Sequence, residues 1–232
     1  MNVLVGCEDS GVVREAFRRR GHNAWSCDLN PAVDGSPFHL QMDLNLVLYY
    51  PMRVLGGMPR WMQQVEWDLG IFHPTCTTMC NSSVWAFTKT PPNPSPGVLY
   101  GAARWRAMEA AVDFTKRLWE CGIPKVAIEN PVMHRYARER FGVKPSQTVQ
   151  PYQFGDDASK RTCLWLRGLP TLAIPPEAQW VAPRVVDGKP RWGNQTDSGQ
   201  NKFGPSTDRW KARAKTYTGI AEAMAAQWGG AA

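Results

Sequence analysis

Asp68-Leu-Gly-Ile-Phe-His-Pro-Thr-Cys76 decides the fold. A short apolar run after a charge, closed by His-Pro, reads as a buried strand that hands one cysteine to the loop at its carboxyl end. Open α/β sheets place their chemistry at that end of their strands. Further along, Lys125-Val-Ala-Ile128 reads as a second strand and ends in Glu129-Asn130-Pro131. A thiol and a carboxyl group can thus face each other across one pocket. A nucleophile and an acid are the least that attack on an electron-poor ring requires.

Working outward, the amino-terminal run Val3–Cys7 is a strand, and Asp9-Ser10-Gly11 a turn. Val12, Val13, Ala16 and Phe17 then fall at helical spacing among Arg14, Arg18, Arg19 and Arg20. Gly21-His-Asn ends that helix, Ala24–Cys27 makes a second strand closing on Asp28, and a third short strand ends at Asp43. Strand and helix alternate as a parallel sheet requires, so the fold class is α/β, Rossmann-like, a mostly parallel sheet with helices on both faces. Leu44 to Trp67 carries a partial helical period broken by Pro51 and Pro59. Lys89–Gly97 is too rich in proline for a helix or a central strand and reads as a long loop. The spacing predicts helices over Ala102–Glu120 and Met133–Phe141, and strands around Gln147–Pro151 and Arg161–Leu166. Gly168 to Gly204 is polar and rich in proline and glycine, and a last helix runs from about Asp208 to Trp228. The expected organisation is a core over 1–168, a short insert over 169–204 and a terminal helix within 205–232 that returns to the core.

At 232 residues the chain suffices for one well-buried core. A net charge of +7 and a pI near 9.2 point to a polyanionic partner. The six cysteines follow no disulfide framework, and several sit in apolar runs, which points to reduced thiols and the cytoplasm. No apolar run approaches the roughly eighteen residues a membrane span needs, and the first residues enter a strand without a basic leader. His73, Cys76 and Cys80 invite a zinc reading, but no second ligand pair completes it, so no metal is expected.

In the order of these elements the chain resembles the cytosine-C5 DNA methyltransferases over most of its length. Cys7-Glu8-Asp9-Ser10-Gly11 resembles the family's first cofactor-binding turn, with Val13 where the family has a second glycine. Asp28 and Asp43 stand where the family's acids meet the ribose and adenine of S-adenosylmethionine. Pro74-Thr75-Cys76 resembles the family's Pro-Pro-Cys, with Thr75 replacing one proline, and Glu129-Asn130-Pro131 resembles its Glu-Asn-Val. Lys160 and Arg161 occupy the place of a Gln-x-Arg-x-Arg signature.

The resemblance implies a Rossmann-like class I fold and S-adenosylmethionine as cofactor. It makes Cys76 the nucleophile on C6 of a flipped cytosine, Glu129 the clamp and acid, Asn130 its positioning neighbour, and Lys160 or Arg161 electrostatic support. At a strand end near helix amino termini and cations, the Cys76 thiolate is expected to be favoured. The Leu169–Gly204 stretch is too short for an independently folded sequence reader, so specificity is expected to be short or lax. DNA contacts fall to Arg191, Lys202, Arg209, Trp210 and Lys211, with Arg184, Lys189 and Trp192 beside them, and to Trp85 and Phe87 near the proline-rich loop. The small size suits a phage-encoded monomer acting in the host cytoplasm. Three alternatives stay open: C5 modification of a free deoxycytidine nucleotide, transfer of a group larger than methyl, and a catalytically silent DNA-binding protein that retains the fold.

Overall fold

Leu69–Phe72 is buried along its whole length and forms β4, at the centre of the sheet. Its neighbours are β1 (Asn2–Gly6) and β5 (Lys125–Pro131), both paired to it in parallel. With β2 (Asn23–Asp28), β3 (His39–Gln41), β6 (Gln147–Val149) and β7 (Thr162–Arg167), the seven strands run in the order β3-β2-β1-β4-β5-β7-β6. The order reverses direction between β1 and β4, the place where a doubly wound sheet opens a crevice at its carboxyl edge. This is the Rossmann-like α/β arrangement expected from the sequence. The computed structural model describes residues 1–49, 65–202 and 216–230.

Helices cover both faces. Leu4, Phe72 and Ile128 pack with α3 (Gly101–Glu120) and α4 (Arg135–Phe141), while Val5, Ile71 and Ala127 pack with α1 (Val12–Arg18) and α5 (Thr218–Trp228). Truncating a fully buried ring such as Phe72 to alanine costs about 3–5 kcal/mol. Helix α3 starts one residue before the expected Ala102. Helix α2 (Leu44–Tyr49) takes up the start of the ambiguous stretch, and 50–64 lie outside the described residues. The terminal helix is Thr218–Trp228; Thr216 and Tyr217, which the helix expected from Asp208 would include, are not helical, and 208–215 lie outside the described residues.

Strand β7 runs antiparallel to β5, with Pro131 opposite Thr162. That reversal puts the residues just before β7, Lys160 and Arg161, at the edge where β1, β4 and β5 end. The segment after β7 carries a hairpin, β8 (Arg184–Val186) and β9 (Lys189–Arg191), that the sequence reading lacks. Its turn is Asp187-Gly188, both at positive φ (50° and 72°), the geometry a two-residue hairpin loop demands.

Candidate active site

Register builds the site. Gly6, Phe72 and Ile128 stand level across β1, β4 and β5, so the next residues, Cys7, His73 and Glu129, meet side by side at the carboxyl edge. The His73 amide donates to the Gly6 carbonyl (3.0 Å), carrying the alignment past the end of the strand. Glu129 is buried and receives three partners. His73 Nδ1 lies 2.9 Å from Oε2, Thr216 Oγ1 donates to the same oxygen (3.1 Å), and Lys160 Nζ stands 3.8 Å from Oε1. Burial alone would raise the carboxyl pKa, but Lys160, His73 and Thr216 together outweigh it and hold the group down at about 2. Glu129 is therefore a carboxylate at neutral pH.

Cys76 opens a tight turn in which the amides of Met79 and Cys80 donate to its carbonyl (2.9 and 3.0 Å). The turn is clamped from two sides. Arg104 of α3 donates to the Thr77 carbonyl (2.6 Å) and His134 pairs with the Thr78 carbonyl (2.9 Å). Because His134 Nδ1 accepts the Ala137 amide at the start of α4 (3.2 Å), its proton sits on Nε2 and donates to Thr78. Asn130 closes the third side by donating through Nδ2 to the Pro74 carbonyl (3.1 Å). The thiol of Cys76 hydrogen-bonds to that of Cys80. This bond, then burial, push the Cys76 pKa far above the usual thiol range, Glu129 adds to the rise, and Lys160 opposes it. The expected favoured thiolate is thus corrected: in this state the sulfur keeps its proton, because the Cys80 contact and desolvation outweigh one lysine.

The sequence-predicted residues divide. Cys76, Glu129, Asn130, Pro74 and Lys160 come together. Arg161 is exposed, and its charge acts on Cys163 in β7. The turn after β1 is made by Cys7 and Gly11, both at positive φ (59° and 71°). A Cβ on Gly11 would press into the Arg14 guanidinium. Glu8 caps α1, accepting the Val13 amide (2.7 Å) and the Arg14 amide (3.3 Å), and Ser10 lies 3.4 Å from it. Asp9 accepts the Val33 amide on its backbone carbonyl (2.9 Å). Asp28 and Asp43 each use one carboxylate oxygen on a nearby asparagine, Asn30 (2.8 Å to its amide) and Asn45 (2.9 Å). The second of these is the ordinary cap at the start of α2. Burial together with Asp28 and Asp43 raises the neighbouring Cys27 thiol to about 12.

Of the residues expected on DNA, Arg191 is held on the hairpin by the Asp197 carbonyl (3.0 Å), and Lys202 is exposed. Arg209, Trp210 and Lys211 lie outside the described residues. Trp192 is not free for base stacking on both faces, because it stacks on Tyr152 (4.2 Å between centroids, 12°). Trp85 is exposed, whereas Phe87 packs against Trp105, His134 and Tyr136. Sequence reasoning reads His73 only as a possible metal ligand and passes over Thr216. A histidine directly after an all-apolar strand is a signal for the first; Thr216 carries none. Among the described residues no cluster of three or more His, Cys, Asp or Glu side chains has metal-binding geometry, and no helix is long and apolar enough to cross a membrane.

No protein-family model matches the sequence, and no curated protein matches it. Among solved structures, the chain is similar to a candidate DNA modification methyltransferase encoded within a prophage of E. coli, at TM-score 0.47 and 13% identity, over 81% of this chain and 56% of that one. The chain spans little more than half the length of that protein.

Proposed function

We propose that the protein is a compact relative of the cytosine-C5 DNA methyltransferases, with Cys76 as nucleophile and Glu129 as the group that grips the cytosine ring. The observation that carries this reading is electrostatic: the Cys76 thiol, on the loop after β4, sits within reach of the charges of Lys160 and of Glu129 near the carboxyl end of the adjacent parallel strand β5. Two groups that must act on neighbouring atoms of one ring need that closeness.

The protonation states suit the first step. Addition of the Cys76 sulfur to C6 releases the thiol proton, and the ring nitrogen N3 gains one, so the resting pair already holds the proton the adduct needs. Glu129 passes that proton to N3, while Asn130 fixes the Cys76 loop through Pro74. Lys160 favours the sulfur anion as it forms. When bound, S-adenosylmethionine supplies a sulfonium methyl group electrophilic enough for the C5 of that adduct. Loss of the C5 proton and departure of Cys76, which recovers the N3 proton, then restore the ring, for a net release of one proton.

The residues at the crevice fit that cofactor. Asp28 at the end of β2 has a second carboxylate oxygen for a ribose diol. Glu8 already fills the first amides of α1, which leaves little there for an anion, and burial raises its own pKa. Reaching C6 in a duplex requires flipping the base out of the stack, and DNA contact falls to the basic hairpin region, with Arg191 and Lys202 and, outside the described residues, Arg209, Trp210 and Lys211.

The test is incubation with S-adenosylmethionine and cytosine-containing duplex DNA, read by nucleoside mass spectrometry beside Cys76→Ala. The expected result is 5-methylcytosine that vanishes in the variant. Product on free deoxycytidine nucleotide alone would replace DNA as the substrate, and DNA binding without cofactor binding would favour a silent DNA-binding protein.

A further inference from the structure

We propose that His73 is a positioning residue for Glu129, clamping its Oε2 with Thr216 so that Oε1, beside Lys160, is the oxygen that meets the substrate. This rests on the function proposed above for its catalytic meaning, and on geometry for the clamp itself.

The clamp follows from the donors present. Two groups converge on Oε2: His73 Nδ1 at 2.9 Å and the Thr216 hydroxyl at 3.1 Å. They come from opposite ends of the chain, one after β4 and one leading into α5, so the oxygen is held by two separately anchored elements. Among the described residues Oε1 has only Lys160, at 3.8 Å, longer than a direct hydrogen bond. Oε1 is therefore the oxygen left open to a ring edge. Glu129 is buried and His73 nearly so, with side-chain exposures of 5% and 10%, which strengthens a charge-assisted bond.

The tautomer is fixed by the same contact. A carboxylate only accepts, so Nδ1 carries the hydrogen and donates. Among the described residues His73 Nε2 is buried with no hydrogen-bond partner, and an N–H left unmatched there would be more costly than a lone pair. The Nδ1 hydrogen of His73 is thus committed to holding the carboxylate, which is the work of a positioning residue. The titratable groups around it are Glu129 on β5, Lys160 before β7, and Glu8 after β1, whose own pKa burial raises.

The experiment compares wild type, His73→Ala and His73→Asn, in which the asparagine amide can replace the Nδ1 donor without titrating. The first readout is the carboxyl carbon resonance of Glu129 against pH in glutamate-labelled protein, assigned by its absence in Glu129→Gln. The midpoint should rise by about one to two pH units in His73→Ala and return toward wild type in His73→Asn. The second readout is methylation, where His73→Ala should lose about 10- to 100-fold in kcat with KM little changed, and His73→Asn should recover most of it. An unmoved Glu129 titration in His73→Ala, or an asparagine variant displaced as far as the alanine one, overturns the clamp. A shifted and rescued titration in a wild-type protein that methylates no cytosine keeps the clamp and overturns the proposed reaction instead.

Discussion

The thiols of Cys76 and Cys80 are hydrogen-bonded to each other across one turn, and the Cys80 amide also closes that turn on the Cys76 carbonyl at 3.0 Å. Because the thiolate is the reactive form, this pairing should make Cys76 a slow nucleophile toward small reagents despite its position at the pocket. We expect Cys80→Ala to remove the acceptor, lower the Cys76 pKa and speed its alkylation by iodoacetamide at pH 8 by at least about tenfold. Mass mapping of the modified cysteine against time checks this. Unchanged alkylation would mean that burial alone holds the proton on sulfur.

Glu129 makes stability depend on pH with a definite sign. Its folded pKa, about 2, lies below the ordinary 4.5, so it contributes stability that is fully present above pH 4.5 and lost as pH falls through 2. The depression corresponds to about 3 kcal/mol between the two protonation states. In urea titrations, the stability difference between wild type and Glu129→Gln should shrink steadily as pH drops from 5 toward 2. A difference that is flat across that range would show that the carboxylate gains nothing from Lys160 and His73.

The parts of this arrangement that were legible in the sequence are those encoded locally. The strand over Leu69–Phe72 shows as an apolar run, and α3 as an amphipathic period whose ends lie within one residue of the expected helix. Cys76 and Glu129 follow because each comes after an apolar run, Cys76 in the loop beyond β4 and Glu129 directly after Ile128 within β5. The pairing of His73 with Glu129 is set by the relative register of β4 and β5, and no local pattern reports register across a parallel crossover. Thr216 reaches the same carboxylate from 87 residues away, a contact decided by how the last helix docks. The β8–β9 hairpin is a different case, since Asp187-Gly188 is a local turn signal lost in a stretch dominated by prolines and glycines.

Asn130 ties the end of β5 to the cysteine loop through one buried bond, Nδ2 to the Pro74 carbonyl at 3.1 Å. Replacing it with alanine leaves that carbonyl unsatisfied and should cost about 1–3 kcal/mol. Thermal melting reports that loss directly. Because the same bond positions the loop carrying Cys76, methylation should fall further than the loss of folded protein accounts for. Asn130→Asp would place a carboxylate against a carbonyl oxygen and should be worse than alanine on both counts.

Arg191 and Lys202 offer the described residues' most direct test of nucleic-acid contact, because they lie in the basic segment proposed above to contact DNA. Arg191 is anchored through Nε to the Asp197 carbonyl, so its side chain is ordered before any partner arrives, while Lys202 is exposed. Each phosphate neutralised by such a residue contributes about 0.9 to the slope of log affinity against log salt for duplex DNA. The double variant Arg191→Ala, Lys202→Ala should therefore bind a short duplex more weakly and flatten that slope by about two. Fluorescence anisotropy from 50 to 200 mM salt measures both. If the affinity falls while the slope holds, the two residues support the hairpin without touching phosphate. If neither changes, DNA lies on another face of the protein, and the contacts assigned to this segment are wrong.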